Sequence, residues 1–453
     1  MKLSTLAGSA LIGASTVNAA ITINWEDDSS IKLGMQTAAK GMTKYYTGYR
    51  PGDVPGNLPN PYYWWEAGAM FGALIDYFLY TEDDQFNDIT VQGMMHQVGP
   101  DNDFMPPNQT KTLGNDDQAF WGIAALAAAE NKYPDPPSGQ PSWLALAQAV
   151  FNTQVARWDM ATCGGGLKWQ IFTFNNGYNY KNTISTGCFF NIAARLEKYT
   201  GNTTYGEWAA KSWDWTHAIG LMSDDYHFFD GTDDTTNCSG INHIQWTYNA
   251  GVMLAGAAAM WNVTAEKGDT NNIWRERVDG IIAGCSVFTP EGKNILSEVA
   301  CEPNNKCNVD QRSFKAYISR WMAYTTKVAP WTTPKLEPIL KASREAAVKT
   351  CTGGDDGNQC GLRWTTGSFD GSTGVGEQMA ALEVFGTALI AKVSGPVTNS
   401  TGGTSKGDPN AGSNSAKDPT SIETITGGDR AGASFLTIII LGGIVGGAWW
   451  LIA

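Results

Sequence analysis

Helices rich in small apolar residues begin near Trp65, Asp117, Thr186, Thr247, Gln311 and Thr373, so six starts recur about every 60 residues. Between them, at 31–45, 84–97, 142–157, 205–219, 271–285 and 335–350, amphipathic stretches carry more charge. A helix that is apolar all round must be enclosed, whereas an amphipathic one needs a single covered face. Alternation of the two kinds predicts an all-α (α/α)6 toroid, six hairpins closed into a ring with the apolar set inside and the amphipathic set outside.

The connections are unequal. Those from an inner helix to the next outer one are short, as in Tyr80–Asp84 and Tyr199–Tyr205, and those from outer to inner are long: 46–64, 98–116, 158–185, 220–246, 286–310 and 351–372. Every long loop precedes an inner-helix N-terminus, so all six gather on one face, where a rigid scaffold can present binding residues. They carry Tyr62, Tyr63, Trp64 and Trp65; Trp169, Phe172, Tyr178 and Tyr180; Asp230, Asp233, Asp234, His243 and Trp246; and Trp364 with Asp370. Aromatic platforms among Asp, Asn and Gln suit sugars, which offer an apolar C–H face and a rim of hydroxyls. Single-stranded nucleic acid also stacks on aromatics but needs a basic groove. A net charge of −13 argues against that partner and against anionic polymers.

Asp116 and Asp117 stand at the mouth of an apolar helix that runs to Glu130. One short acceptor, Asn115 or Asp116, suffices to cap it, which leaves a second acid. Like charges buried side by side raise one pKa, and one ionised plus one protonated carboxyl is what glycosidic bond cleavage requires. Capping in a solvated loop is the plain alternative. Other residues also carry two readings. Trp64, Trp65 and Glu66 at a helix start fit a staple or substrate stacking. Asp230, Asp233 and Asp234 lack EF-hand spacing and suit a polar loop or sugar hydroxyls better than Ca²⁺. No cofactor and no metal site are expected.

Residues 1–19 read as a secretory signal, and 20–393 as the helical domain. Residues 394–434 contain no aromatic residue and are dominated by Gly, Ser, Thr, Asn, Asp and Pro, which predicts an unfolded stalk with the lipid-attachment region. The apolar tail 435–453 has no basic cluster behind it, which favours a GPI signal over a membrane-spanning anchor. The expected address is the outer face of the plasma membrane and the cell wall. Sequons start at Asn108, Asn202, Asn237, Asn262 and Asn399. Eight cysteines suggest disulfides between loops, with Cys301–Cys307 and Cys351–Cys360 the pairs near enough in sequence to name.

Five ordered segments carry a resemblance: Trp64-Trp-Glu-Ala-Gly-Ala69, Gly114-Asn-Asp-Asp-Gln-Ala-Phe-Trp121, Tyr180-Lys-Asn-Thr-Ile-Ser185, Gln245-Trp-Thr-Tyr-Asn249 and Gly374-Val-Gly-Glu-Gln378. Over residues 25–392 the chain resembles family 76 glycoside hydrolases, and within them the fungal GPI-anchored mannan endo-1,6-α-mannosidases. The resemblance implies an (α/α)6 fold and a retaining mechanism with Asp116 as nucleophile and Asp117 as acid/base. It also implies a GPI-core glycan or α-1,6-mannan as donor and cell-wall β-glucan as acceptor. On the matched motifs and neighbouring loops, Trp64, Trp65, Glu66, Asn115, Tyr180, Lys181, Asn182, Asp233, Asp234, Gln245, Trp246, Tyr248, Asn249 and Gln378 are the candidate sugar-binding residues. Thr186 and the Phe314-Lys-Ala run depart from the family pattern without touching the aspartates. Endo-mannan hydrolysis and a non-catalytic glycan-binding wall protein are the alternatives.

Overall fold

A computed structural model describes residues 20–413 and 427–452. The inner helices are α2 (Trp64–Thr81), α4 (Asn115–Glu130), α6 (Thr183–Thr200), α8 (Thr247–Glu266), α10 (Phe314–Val328) and α12 (Val375–Gly386). Each packs on the next, and α12 returns to α2, so the ring is closed. The outer helices are α1 (Asp28–Thr43), α3 (Asn87–His96), α5 (Trp143–Ala156), α7 (Thr203–Ala218), α9 (Ile273–Gly284) and α11 (Thr333–Ala347).

Composition explains the two layers. Every residue of α4 except Asp117 is buried, as an all-round apolar helix requires. On α1 only the stripe Ile31, Gly34, Met35, Ala38, Ala39, Gly41 and Met42 is buried. Small residues let inner helices accept neighbouring aromatic rings. A Cβ on Gly68 would lie 2.7 Å from the Trp121 ring, and one on Gly256 would lie 2.4 Å from Phe190. Side-chain caps from Ser142, Asn182, Asn202 and Asn272 start α5, α6, α7 and α9.

Ion pairs close the end of the ring where the inner helices finish. Arg320 of α10 bonds Asp76 of α2 at 2.7 Å and Glu383 of α12 at 2.6 Å. Arg195 of α6 bonds Glu130 of α4 at 2.6 Å. At the opposite end, the loops before α6 and α8 form a small antiparallel sheet: β1 (Tyr180–Asn182), β2 (Gly231–Asp233) and β3 (Ile241–Asn242), in that order. Tyr180 faces Asp233 in the register and Thr232 faces Ile241. Strands this short carry no readable alternation, which is why the sequence did not announce them.

Cys301–Cys307 and Cys351–Cys360 pair as expected. A third bridge, Cys163–Cys238, joins the same two loops as the sheet, and Cys188 and Cys285 are buried thiols. Residues 394–413 depart from the stalk expectation by lying against the ring. Val397 N–H donates to the Glu130 carbonyl at 2.9 Å, Asn399 N–H to that of Tyr199 at 2.9 Å, and Leu144 N–H to Ser405 Oγ at 3.0 Å. Asn152 then holds the carbonyls of Pro409 and Ala411 at 2.9 and 2.8 Å. A segment too polar to form its own core can still dock through backbone hydrogen bonds.

Residues 1–19, 414–426 and 453 lie outside the described residues, and with them the expected signal and part of the attachment region. The apolar tail forms α13 (Gly427–Ile452), with Phe435, Ile438, Ile439 and Trp449 exposed. Asn108, Asn202, Asn237 and Asn399 are exposed, but Asn262 is half-buried within α8. Its side-chain N–H donates to the Val328 carbonyl at 3.0 Å.

Candidate active site

Asp116 and Asp117 occupy the second and third positions of α4, and Asn115 fixes the helix start. The Asn115 backbone N–H donates to the Trp169 carbonyl at 2.8 Å, and its side-chain N–H to the Lys168 carbonyl at 2.8 Å. Its side-chain oxygen accepts from Arg157 Nε at 2.7 Å. Asp117 Oδ2 turns back to accept the Gly114 N–H at 2.7 Å, the acidic half of a capping box. Asp116 Oδ1 accepts from Ser185 Oγ, on α6, at 3.3 Å. The two acids are therefore held by different partners, one by the helix start and one by α6. A Cβ at position 114 would lie 2.6 Å from Asp116 Oδ1 and 3.1 Å from Asp117 Oδ2, so glycine leaves the space the pair needs.

Burial pushes the Asp116 carboxyl up to about 7, opposed by backbone N–H groups at the helix start and by Ser185, which favour the anion. Burial and then the Asp116 charge push Asp117 well above the ordinary carboxylate range, although its bond from Gly114 opposes this. The protons belong to the pair, with the anion favoured on Asp116 and the acid on Asp117. Such a division equips neighbouring carboxyls for nucleophile and proton-donor roles.

The pair opens into a cavity of about 330 Å³ also lined by Trp65, Phe120, Tyr180, Asn182, Asp230, Trp246, Tyr248, Asp310 and Phe314. Asp230 organises one wall by accepting the Tyr180 hydroxyl at 2.6 Å, Trp246 Nε1 at 3.0 Å and Asn242 Nδ2 at 3.3 Å. The Tyr248 ring stacks on Phe314 with centroids 3.8 Å apart. A second cavity of about 390 Å³ shares Trp65, Asp117, Trp169 and Asp310 with the first, but not Asp116. Tyr63, Trp64, Lys111 and Asn175 are among its other walls. Together they make a two-lobed cleft with Asp117 at the junction. A cavity of about 870 Å³ lies at the other end of the ring, beneath the 394–401 segment and remote from the acids. Its size alone gives it no chemistry.

Of the expected sugar-binding residues, Trp65, Tyr180, Asn182, Trp246 and Tyr248 share the first cavity with the acids, and Trp64 lines the second. Trp64 is also packed on Trp121 at 5.0 Å and donates to Gln97 at 2.8 Å. The others are corrected. Lys181 is fully buried, paired with Asp159 at 3.1 Å and bonded to the carbonyls of Thr162 and Gly165, so it braces its own loop. Asp234 is taken up by Lys168, and Asp233 caps the turn at Thr235. Asn115 holds backbone, Gln245 meets His227 at 3.0 Å, and Gln378 donates to Gln359 at 3.1 Å inside the ring. Glu66 and Asn249 are fully buried and line neither lobe. Sequence position placed these side chains at the correct end of their helices, but burial decided which could meet a ligand. Asp310, central to the cleft, was missed because it lies in no recognised motif; its one signal was an acid on a long loop just before α10.

Comparison with known proteins agrees with this arrangement. Residues 30–400 match the model of glycosyl hydrolase family 76. The mannan endo-1,6-alpha-mannosidase DCW1 of Saccharomyces cerevisiae is 44% identical over 435 residues, covering 96% of this chain and 95% of its own. The mannan endo-1,6-alpha-mannosidase DFG5 of the same yeast is 45% identical, covering 91% and 90%. The crystal structure of Dfg5 from Chaetomium thermophilum in complex with glucosamine superposes with a TM-score of 0.81 at 44% identity, over 86% of this chain and 97% of that one. An α-1,6-mannanase of Salegentibacter, at 18% identity and a TM-score of 0.60 over 80% of this chain and 100% of that one, shares the fold. With its closed ring and its paired acids, the chain belongs to glycosyl hydrolase family 76 and is a glycoside hydrolase.

Proposed function

We propose that the protein is a retaining α-1,6-mannoside-active enzyme that processes the mannose core of GPI glycans and transfers it to cell-wall β-glucan. The observation that carries this reading is the buried neighbouring pair Asp116 and Asp117 at the cleft, one favoured as anion and the other as acid. Its kinship with proteins named mannan endo-1,6-alpha-mannosidase supports the bond type.

Asp116 attacks the anomeric carbon as the bond to the leaving oxygen breaks, and the Asp117 proton goes to that oxygen. The resulting glycosyl ester then meets an acceptor hydroxyl. Its proton passes to Asp117 while its oxygen replaces Asp116 on the anomeric carbon. Since the glycone must meet both acids, it occupies the first lobe. The leaving group and the acceptor meet Asp117 alone, in the second lobe, where Trp169 and Tyr63 offer a stacking surface. Water as acceptor gives hydrolysis; a sugar stacked there excludes water and favours transfer. The exposed apolar helix α13 supports a GPI signal and an address at the outer plasma membrane.

The test uses residues 20–413 with a GPI-core mannoside donor and short β-glucan acceptors, read by mass spectrometry. Donor–acceptor adducts from the wild type, absent with Asp116→Asn and Asp117→Asn, are expected. Free mannosides alone would leave a hydrolase and overturn the transfer step, and an untouched donor would overturn the substrate.

A further inference from the structure

Asp310 stands where the two lobes meet, on the wall shared with Asp117, Trp65 and Trp169. Burial raises the Asp310 pKa, and the Trp65 indole N–H, donated to Oδ1 at 3.0 Å, orients the carboxyl and opposes that rise. Among the described residues no hydrogen bond satisfies Oδ2, although the side chain is half-buried. A carboxylate held this way adds negative charge to a site that already holds two acids. We propose that Asp310 is a positioning residue of the catalytic pair, a third carboxylate whose charge retains the proton on Asp117 until the leaving oxygen takes it.

The surroundings do not cancel that charge. From α4, Asp116 and Asp117 both face it, and its charge favours the protonated form of each. From α2, Glu66 is fully buried with neither oxygen partnered, and burial holds its proton. Tyr248 of α8 and Tyr317 of α10 face it as neutral phenols, since burial raises both. The nearby cation Arg312 pairs with Glu377 of α12 at 3.5 Å. No cation bonds to Asp310 among the described residues, so its charge reaches Asp117 across a partly buried cleft, where screening is weak.

This inference rests on the assigned roles of Asp116 and Asp117, and the experiment separates the two. The pH dependence of kcat/KM is measured on an α-1,6-linked mannotetraose for wild type, Asp310→Asn and Asp310→Glu, with thermal unfolding of each. In Asp310→Asn both limbs are expected to move to lower pH, the alkaline limb by about one pH unit, because both acids lose a repelling neighbour. Asp310→Glu keeps the charge and restores the wild-type limbs. Limbs that stay in place in a folded Asp310→Asn, whatever the change in rate, would overturn the inference alone. Activity retained by Asp117→Asn would instead overturn the reading beneath it. A ¹³C-carboxyl titration of Asp117 in wild type and Asp310→Asn reads the same shift without turnover, and an unchanged titration likewise overturns the inference.

Discussion

Asp117 keeps its proton at a cost to the fold. Its folded pKa lies above the unfolded value of 3.8, so the unfolded chain releases its proton first as pH rises. Stability contributed by this group is therefore complete below pH 3.8 and falls as pH climbs toward the folded pKa. Asp117→Asn is expected to be more stable than wild type at pH 7, by about 0.5–2 kcal/mol, and so to unfold at a higher temperature, and to lose that advantage near pH 3. Thermal unfolding at the two pH values checks it. The pair was legible in the sequence because two acids beside an apolar helix are one more than a cap needs. Lys181 was misjudged for the opposite reason. A lysine in a polar motif looks like a ligand contact, and nothing in the local sequence shows that three carbonyls and Asp159 enclose its ammonium.

Inner and outer helices were legible as elements because their periods differ, and the observed inner starts fall within three residues of the expected ones. The way α4 begins was not. Its cap is a glycine, and the helix start is held by loop 158–185 through the Trp169 and Lys168 carbonyls, a contact set only by the tertiary fold. Gly114→Ala tests that construction. Its methyl group collides with both acids while the backbone angle of −99° remains ordinary for alanine. Activity should fall about 10²-fold, the cost of a small misplacement, together with a loss of thermal stability, because the same methyl would lie 2.9 Å from the Trp169 carbonyl that holds the helix start. Unchanged kcat/KM would show that the carboxyls have room to move.

For the whole molecule, the six-hairpin ring followed from its repeat, while the devices that close it lie between distant residues. Arg320 joins the first, fifth and sixth inner helices through Asp76 and Glu383, so Arg320→Ala strands two buried acids and should cost about 3–5 kcal/mol in chemical unfolding. The docked segment 394–413 escaped detection because its composition forbids an independent core, not attachment to an existing surface. Ending the chain at 393 should lower the unfolding temperature relative to an end at 413, since it removes the bonds to Glu130, Tyr199, Leu144 and Asn152. Equal temperatures would mean that the segment adds no stability. The account as a whole turns on Asp116 as the residue that carries the sugar. Reacting the protein with a fluorinated α-mannosyl donor that forms the ester but releases it slowly, then mapping the adduct by peptide mass spectrometry, tests this directly. The account predicts one mannosyl group on Asp116; a label on another residue, or turnover with inversion and no adduct, would contradict it.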